Sequence, residues 1–283
     1  MMTNRLIIIF FVCLMSMNLH GQNELQFSFE CGESIKSPIE SSVLLKFPDG
    51  RISKLYLDSK PKYDFIDKEY FTSKGKYILS IYFIAENYGQ DSIEYDFELN
   101  GDEIKTTISV NFDFKERLIK KGNIYEKGDE VLNGYVRINK YYNAPKTIEI
   151  SIDKENIGTE YYKGPFFKIK NNSTDTIYGE HLPGYFWGIL SYLRNDSTFL
   201  TRIGVLEYNF SDAPPLYPDS IKIATVGSFG LTKKLIPFDY RFDVMLAKEF
   251  QSTGIGIYRE QENFIWWAGS KEYYKLTHDF KIE

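Results

Sequence analysis

Between Ile104 and Phe114 apolar and polar residues alternate, with Ile104, Ile108, Val110, Phe112 and Phe114 on one side and Lys105, Thr107, Ser109, Asn111 and Asp113 on the other. Successive side chains of a strand point to opposite faces, so this segment reads as a strand with one face in a core and one in water. A helix would scatter the same apolar residues around its axis. The same period runs upstream, where Ile93, Tyr95, Phe97 and Leu99 alternate with Glu94, Asp96 and Glu98. Asn100-Gly101 lies between the two runs and suits a tight turn, so the pattern predicts a hairpin. A two-residue loop sets Phe97 opposite Ile104 and Ile93 opposite Ile108. A four-residue loop keeps the same apolar face, and a three-residue loop would turn one strand over.

A second hairpin is expected through Asn143-Ala144-Pro145, with Val136 and Ile138 facing Ile152 and Ile150. Val43–Phe47 and Ile52–Leu57 flank Pro48-Asp49-Gly50, another turn signature. Later strand candidates are Phe166–Lys170, Tyr185–Leu193, Phe199–Leu206, Ile221–Val226, Phe238–Leu246, Gly254–Tyr258, Phe264–Ala268 and Phe280–Ile282. Asp243–Phe250 also reads as a short helix. With 22 Tyr and 22 Phe, residue types that suit pleated surfaces are abundant. Many short strands and frequent turns predict an all-β fold of two consecutive antiparallel β-sandwich domains.

The first residues predict a chain exported from the cytoplasm. Arg5 precedes an apolar run from Leu6 to Met15, and polar and small residues then lead to Gly21-Gln22. This is the pattern of a secretory signal cut between Gly21 and Gln22, and its apolar part is about ten residues, half of a membrane span. The expected organisation is a signal peptide over 1–21, an N-terminal sandwich over 22–115, a charged, glycine-containing linker over 116–131 and a larger C-terminal sandwich over 132–283. The expected location is periplasmic or extracellular, with no transmembrane anchor in the mature chain. Cys13 lacks the small preceding residue of a lipid-attachment cysteine, and Cys31 alone cannot form an internal bridge.

The leader, closing in Gly21-Gln22-Asn23, resembles those of exported Bacteroidetes proteins. Phe166-Phe-Lys-Ile-Lys-Asn-Asn-Ser-Thr-Asp-Thr-Ile-Tyr178, with the closing Tyr273-Tyr274-Lys275-Leu276 and Phe280-Lys-Ile282, resembles bacterial immunoglobulin-like domains. That resemblance implies a binding or spacer role and carries over no functional residue. Asp followed by Ser or Thr and then an aliphatic residue or Thr occurs at Asp91-Ser92-Ile93, Asp175-Thr176-Ile177, Asp196-Ser197-Thr198 and Asp219-Ser220-Ile221. The triplet resembles the O-glycosylation sequon of exported Bacteroidetes proteins and implies sugars on Ser92, Thr176, Ser197 and Ser220. Asp-Ser and Asp-Thr are also ordinary turn residues before strands.

Catalytic constellations are scarce. Outside the leader stand His181 and His278, without metal-ligand spacing, and Glu180-His181 borders the turn Leu182-Pro183-Gly184. No nucleophile elbow, phosphate-binding glycine loop or acidic calcium loop is present, so neither a metal nor a cofactor is expected. Charge is −5 and the lysines and arginines are scattered, which argues against nucleic acid. Trp266-Trp267 is the best ligand-contact candidate, because adjacent strand residues face opposite ways and one ring should point away from the core. The expectation is a non-catalytic exported binding or structural module at the cell envelope, with a protein or glycan partner. The alternatives are a carbohydrate-binding protein and an immunity-type inhibitor of a toxin.

Overall fold

The computed structural model describes residues 24–31, 39–58, 68–121, 123–153, 166–179, 184, 186–194, 198–204, 214–225, 239–249 and 256–281. Among them every regular element is a strand. In chain order these are β1 (Glu24–Cys31), β2 (Ile39–Lys46), β3 (Ile52–Asp58), β4 (Lys68–Phe71), β5 (Gly75–Ala85), β6 (Gly89–Leu99), β7 (Glu103–Lys121) and β8 (Ile124–Asn143). There follow β9 (Ile148–Asp153), β10 (Phe166–Asn171), β11 (Trp187–Arg194), β12 (Thr198–Gly204), β13 (Ile221–Thr225), β14 (Asp239–Ala247), β15 (Ile257–Glu260) and β16 (Phe264–Lys281). Of the two readings given for the segment from Asp243, the strand is the one formed, as far as Ala247.

The chain forms two compact units, one of residues 1–138 with 255–269, the other of 139–254 with 270–283. The units are therefore not consecutive in sequence, as two sandwich domains in a row would be. The expected linker at 116–131 is a two-stranded ribbon instead: β7 runs to Lys121, β8 starts at Ile124, and Lys127–Glu116 and Lys121–Glu126 ion pairs tie them across. Charge and glycine there mark an exposed ribbon rather than a break between cores.

In the first unit, β3-β2-β5-β6 make one sheet, and β4-β1-β7-β8 with the start of β16 and its partner β15 make another. β1 lies parallel to β7, so the sheet is not wholly antiparallel. Alternation on both sheets sends one set of side chains inward: Leu25, Phe27 and Phe29 on β1, Tyr77, Leu79, Ile81 and Phe83 on β5, and Ile108, Val110 and Phe112 on β7. Phe83 meets Phe112, Phe264 and Trp266 at 5.0, 5.1 and 5.1 Å between ring centroids, which joins the sheets into a sandwich-like pair of layers. In the second unit β13-β10-β9 faces β12-β11-β14 and the end of β16. There Phe167 of β10 stacks on Phe242 of β14 at 3.8 Å.

The hairpin expected at Asn100-Gly101 is not formed. β6 pairs with β5, β7 pairs with β1 and β8, and the turn carries the chain from one sheet to the other. A tight hairpin turn of that type needs positive φ at both central residues, and only Gly101 has it, at 87°. The fully buried carboxylate of Glu103 accepts the N–H groups of Asn100 and Gly101 at 2.9 and 2.8 Å and so holds the corner. The hairpin expected through Asn143-Ala144-Pro145 is also absent. Ile150 and Ile152 pair with Ile169 and Phe167 of β10, whereas Val136 and Ile138 belong to the core of the first unit. The turn expected at Pro48-Asp49-Gly50 is formed, with Gly50 at φ 85°, and β2 and β3 pair across it from Lys46↔Ile52 outward.

Candidate binding surface

The double tryptophan sits near the start of β16, in the first unit. Trp266 is 0% exposed and Trp267 is half-buried on the opposite side of the strand. Trp266 is therefore removed from the ligand-contact pair. Its indole lies against Phe83 and Phe112, and Nε1 donates to Asp91 Oδ2 at 3.0 Å. A Cβ at Gly134 of β8 would stand 2.5 Å from that indole, so glycine is what lets the ring lie against β8. Asp91 also receives the Arg259 guanidinium and, at 2.7 Å, the Ser92 N–H. A nearly buried carboxylate with three donors is a satisfied polar tie between the two sheets.

Trp267 looks outward and has company there. The Tyr258 ring lies 4.6 Å from it at 50°, and the Lys115 ammonium stands 4.8 Å over the indole. Tyr258 is 50% exposed and its hydroxyl donates to Glu260 Oε2 at 2.6 Å. Leu132, Gly134, Val136 and Ile138 of β8 face inward, which turns Tyr135 and Arg137 to the same outer face; the Arg137 guanidinium covers the Tyr135 ring at 4.9 Å. This face offers ring surfaces beside fixed charges of both signs. Ring faces attract the slightly positive C–H groups of sugars and the edges of other rings, and the charged groups orient polar neighbours.

Of the expected sugar acceptors, Ser92 is exposed on β6 and Thr176 is half-buried. Ser220 is half-buried with its hydroxyl donating to Tyr217 O at 2.6 Å; Ser197 lies outside the described residues, as do Gly21, Gln22, Cys13 and Glu180-His181. The Asn-Asn-Ser-Thr stretch has a structural role. Asn171 is fully buried, donating from Nδ2 to Asp175 O and Leu216 O and accepting at Oδ1 from the Ser173 main-chain N–H and hydroxyl. Among the described residues no group of three or more His, Cys, Asp and Glu is placed to hold a metal, and no helix is long and apolar enough to cross a membrane.

Two groups in the second unit had no sequence signal. Lys222 of β13 donates to the carbonyls of Gly184 and Pro214 with its ammonium 4.6 Å from the Phe186 ring, and burial lowers its pKa to about 8. Lys248 lies over Tyr142 and Tyr274 at 4.4 and 5.2 Å and pairs with Glu272 at 2.8 Å. Burial pushes Glu272 up, but the Lys248 hydrogen bond and charge and the Tyr142 hydroxyl outweigh it and hold the carboxyl below its ordinary value. In one dimension neither lysine stands out from the other lysines of the chain. No protein-family model matches the chain, and no curated protein matches it.

Proposed function

We propose that this is an exported, non-catalytic protein of immunoglobulin-like sandwiches that binds a partner at the cell envelope through the outer face carrying Trp267 and Tyr258. The observation behind this reading is that pair: two large rings turned away from a core that Trp266, Phe83 and Phe112 already fill. Aromatic side chains with limited rotamer freedom lose little entropy on contact and dominate many recognition surfaces. A glycan partner is the second reading, favoured by the half-exposed Tyr258 ring beside charged groups. O-glycosylation of Ser92, Thr176, Ser197 and Ser220 belongs to the same proposal, with Ser92 the most open acceptor among those described. An intact mass equal to the bare mature chain, from protein exported by its own host, rejects that modification.

Glycan-array binding and tryptophan fluorescence on the mature chain test the surface. Trp267→Ala with Tyr258→Ala should leave thermal unfolding within a few degrees of the parent and weaken binding at least about tenfold. Binding that survives both changes refutes the assignment of this face.

A further inference from the structure

We propose that the open edge of β6 takes up an extended segment of a protein partner as a fifth strand, and that this segment alternates basic with apolar residues. This edge belongs to a different sheet from the aromatic face. Among the described residues β6 pairs as a strand with β5 alone and ends the order β3-β2-β5-β6. It is an 11-residue strand, long for an edge. The Ser92 N–H donates to its neighbour's carboxylate at Asp91 Oδ1, as an N–H outside the β5 ladder can. In an antiparallel ladder this sets the main-chain groups of Ser92, Glu94, Asp96 and Glu98 toward the open edge.

Side chains at those positions are exposed on the outer face, and three of the four are carboxylates. Asp96 is paired with Lys76, and Glu94 accepts a 3.5 Å bond from Ser80 Oγ. The inward positions tell the second half of the partner's sequence. Ile93, Tyr95 and Phe97 are 5, 8 and 6% exposed, against 0, 1 and 1% for Leu79, Ile81 and Phe83 on the neighbouring strand. Cover at these three positions is less complete than on β5, although Leu99 at the end of β6 is 1% exposed, and apolar residues of an added strand would complete it. A second copy of the chain is a poor occupant, because antiparallel β6 edges would bring the carboxylates of 94, 96 and 98 opposite one another. Lysine or arginine at alternate positions meets them with opposite charge, while the pleat sends the intervening residues inward.

The test uses the unglycosylated mature chain and a dye-labelled, capped peptide of about nine residues alternating lysine and valine. Fluorescence anisotropy should show binding that weakens with salt. The isomer with lysines in one block and the peptide with glutamate for lysine should bind at least about tenfold more weakly. Backbone N-methylation of the peptide should abolish binding in one alternating frame and spare it in the other, since only one frame's N–H groups meet β6. Glu94→Lys with Glu98→Lys, both at exposed positions, should weaken the alternating peptide at least about tenfold. Trp267→Ala should not change it, which separates this edge from the aromatic face. No binding, equal binding of the block isomer, or indifference to both the methylation frame and the charge reversals overturns the proposal and leaves the carboxylates only to keep the edge from pairing.

Discussion

Thr106 is 1% exposed on the core face of β7, and its hydroxyl has no hydrogen-bond partner among the described residues. An unpaired buried hydroxyl costs about 1–3 kcal/mol, and valine has nearly the same shape without it. Thr106→Val should raise the urea midpoint, a gain of about 1 kcal/mol. Trp266 is the opposite case, because its N–H is needed. Trp266→Phe removes one of the donors on Asp91, whose side chain is 10% exposed, and leaves a gap beside Phe83. The expected loss is about 2–4 kcal/mol by the same measurement. Lys222 makes a pH-dependent prediction. Its folded pKa is near 8, and 10.5 is the ordinary value. Between those values the unfolded chain binds more protons, so this residue makes stability rise with pH over that window. A neutral amine keeps two N–H donors for the Gly184 and Pro214 carbonyls, so deprotonation does not break the contacts. Denaturation midpoints measured from pH 7.5 to 10.5 should rise more in the parent than in Lys222→Met.

At the scale of elements, Glu103 decides a connection that alternation leaves open. Glu103→Gln keeps the size but supplies one acceptor oxygen where two N–H groups point, and should cost about 1–3 kcal/mol in chemical denaturation. This is why the strands were legible and the pairing was not. Ile93–Leu99 and Ile104–Phe114 each have one apolar face, and a core is served equally by two strands side by side or by two strands facing each other across it. The local sequence prefers neither; the choice comes from a carboxylate beyond the turn and from β1, whose parallel pairing with β7 takes the place β6 would have filled. The alternation of Leu25, Phe27 and Phe29, and of Tyr77 through Ala85, is as clear as that of β7 once the partners are known. At the candidate surface, alternation alone said that one of two tryptophans faces out. Which one depended on Gly134, whose missing side chain makes room for Trp266. Gly134→Ala, with its new carbon 2.5 Å from the indole, should lower the melting temperature by several degrees, because the ring is enclosed by Phe83 and Phe112.

At the scale of the whole molecule the first unit is discontinuous, built from residues up to 138 and from 255–269. Phe264, Trp266 and Ala268 belong to its core. A fragment ending at Ile138 lacks them and leaves Phe83 and Phe112 without the indole they pack on. Such a fragment should lose protease resistance and show no cooperative unfolding by circular dichroism. Adding residues 255–269 back through a short linker should restore both. A boundary drawn at 116–131 misses this, because composition records where the chain is charged and not which distant segment completes a core. During synthesis, moreover, the earlier-made strands of this unit wait for a tryptophan that leaves the ribosome only after residues 139–254. That core therefore cannot be completed until nearly the whole chain has been made.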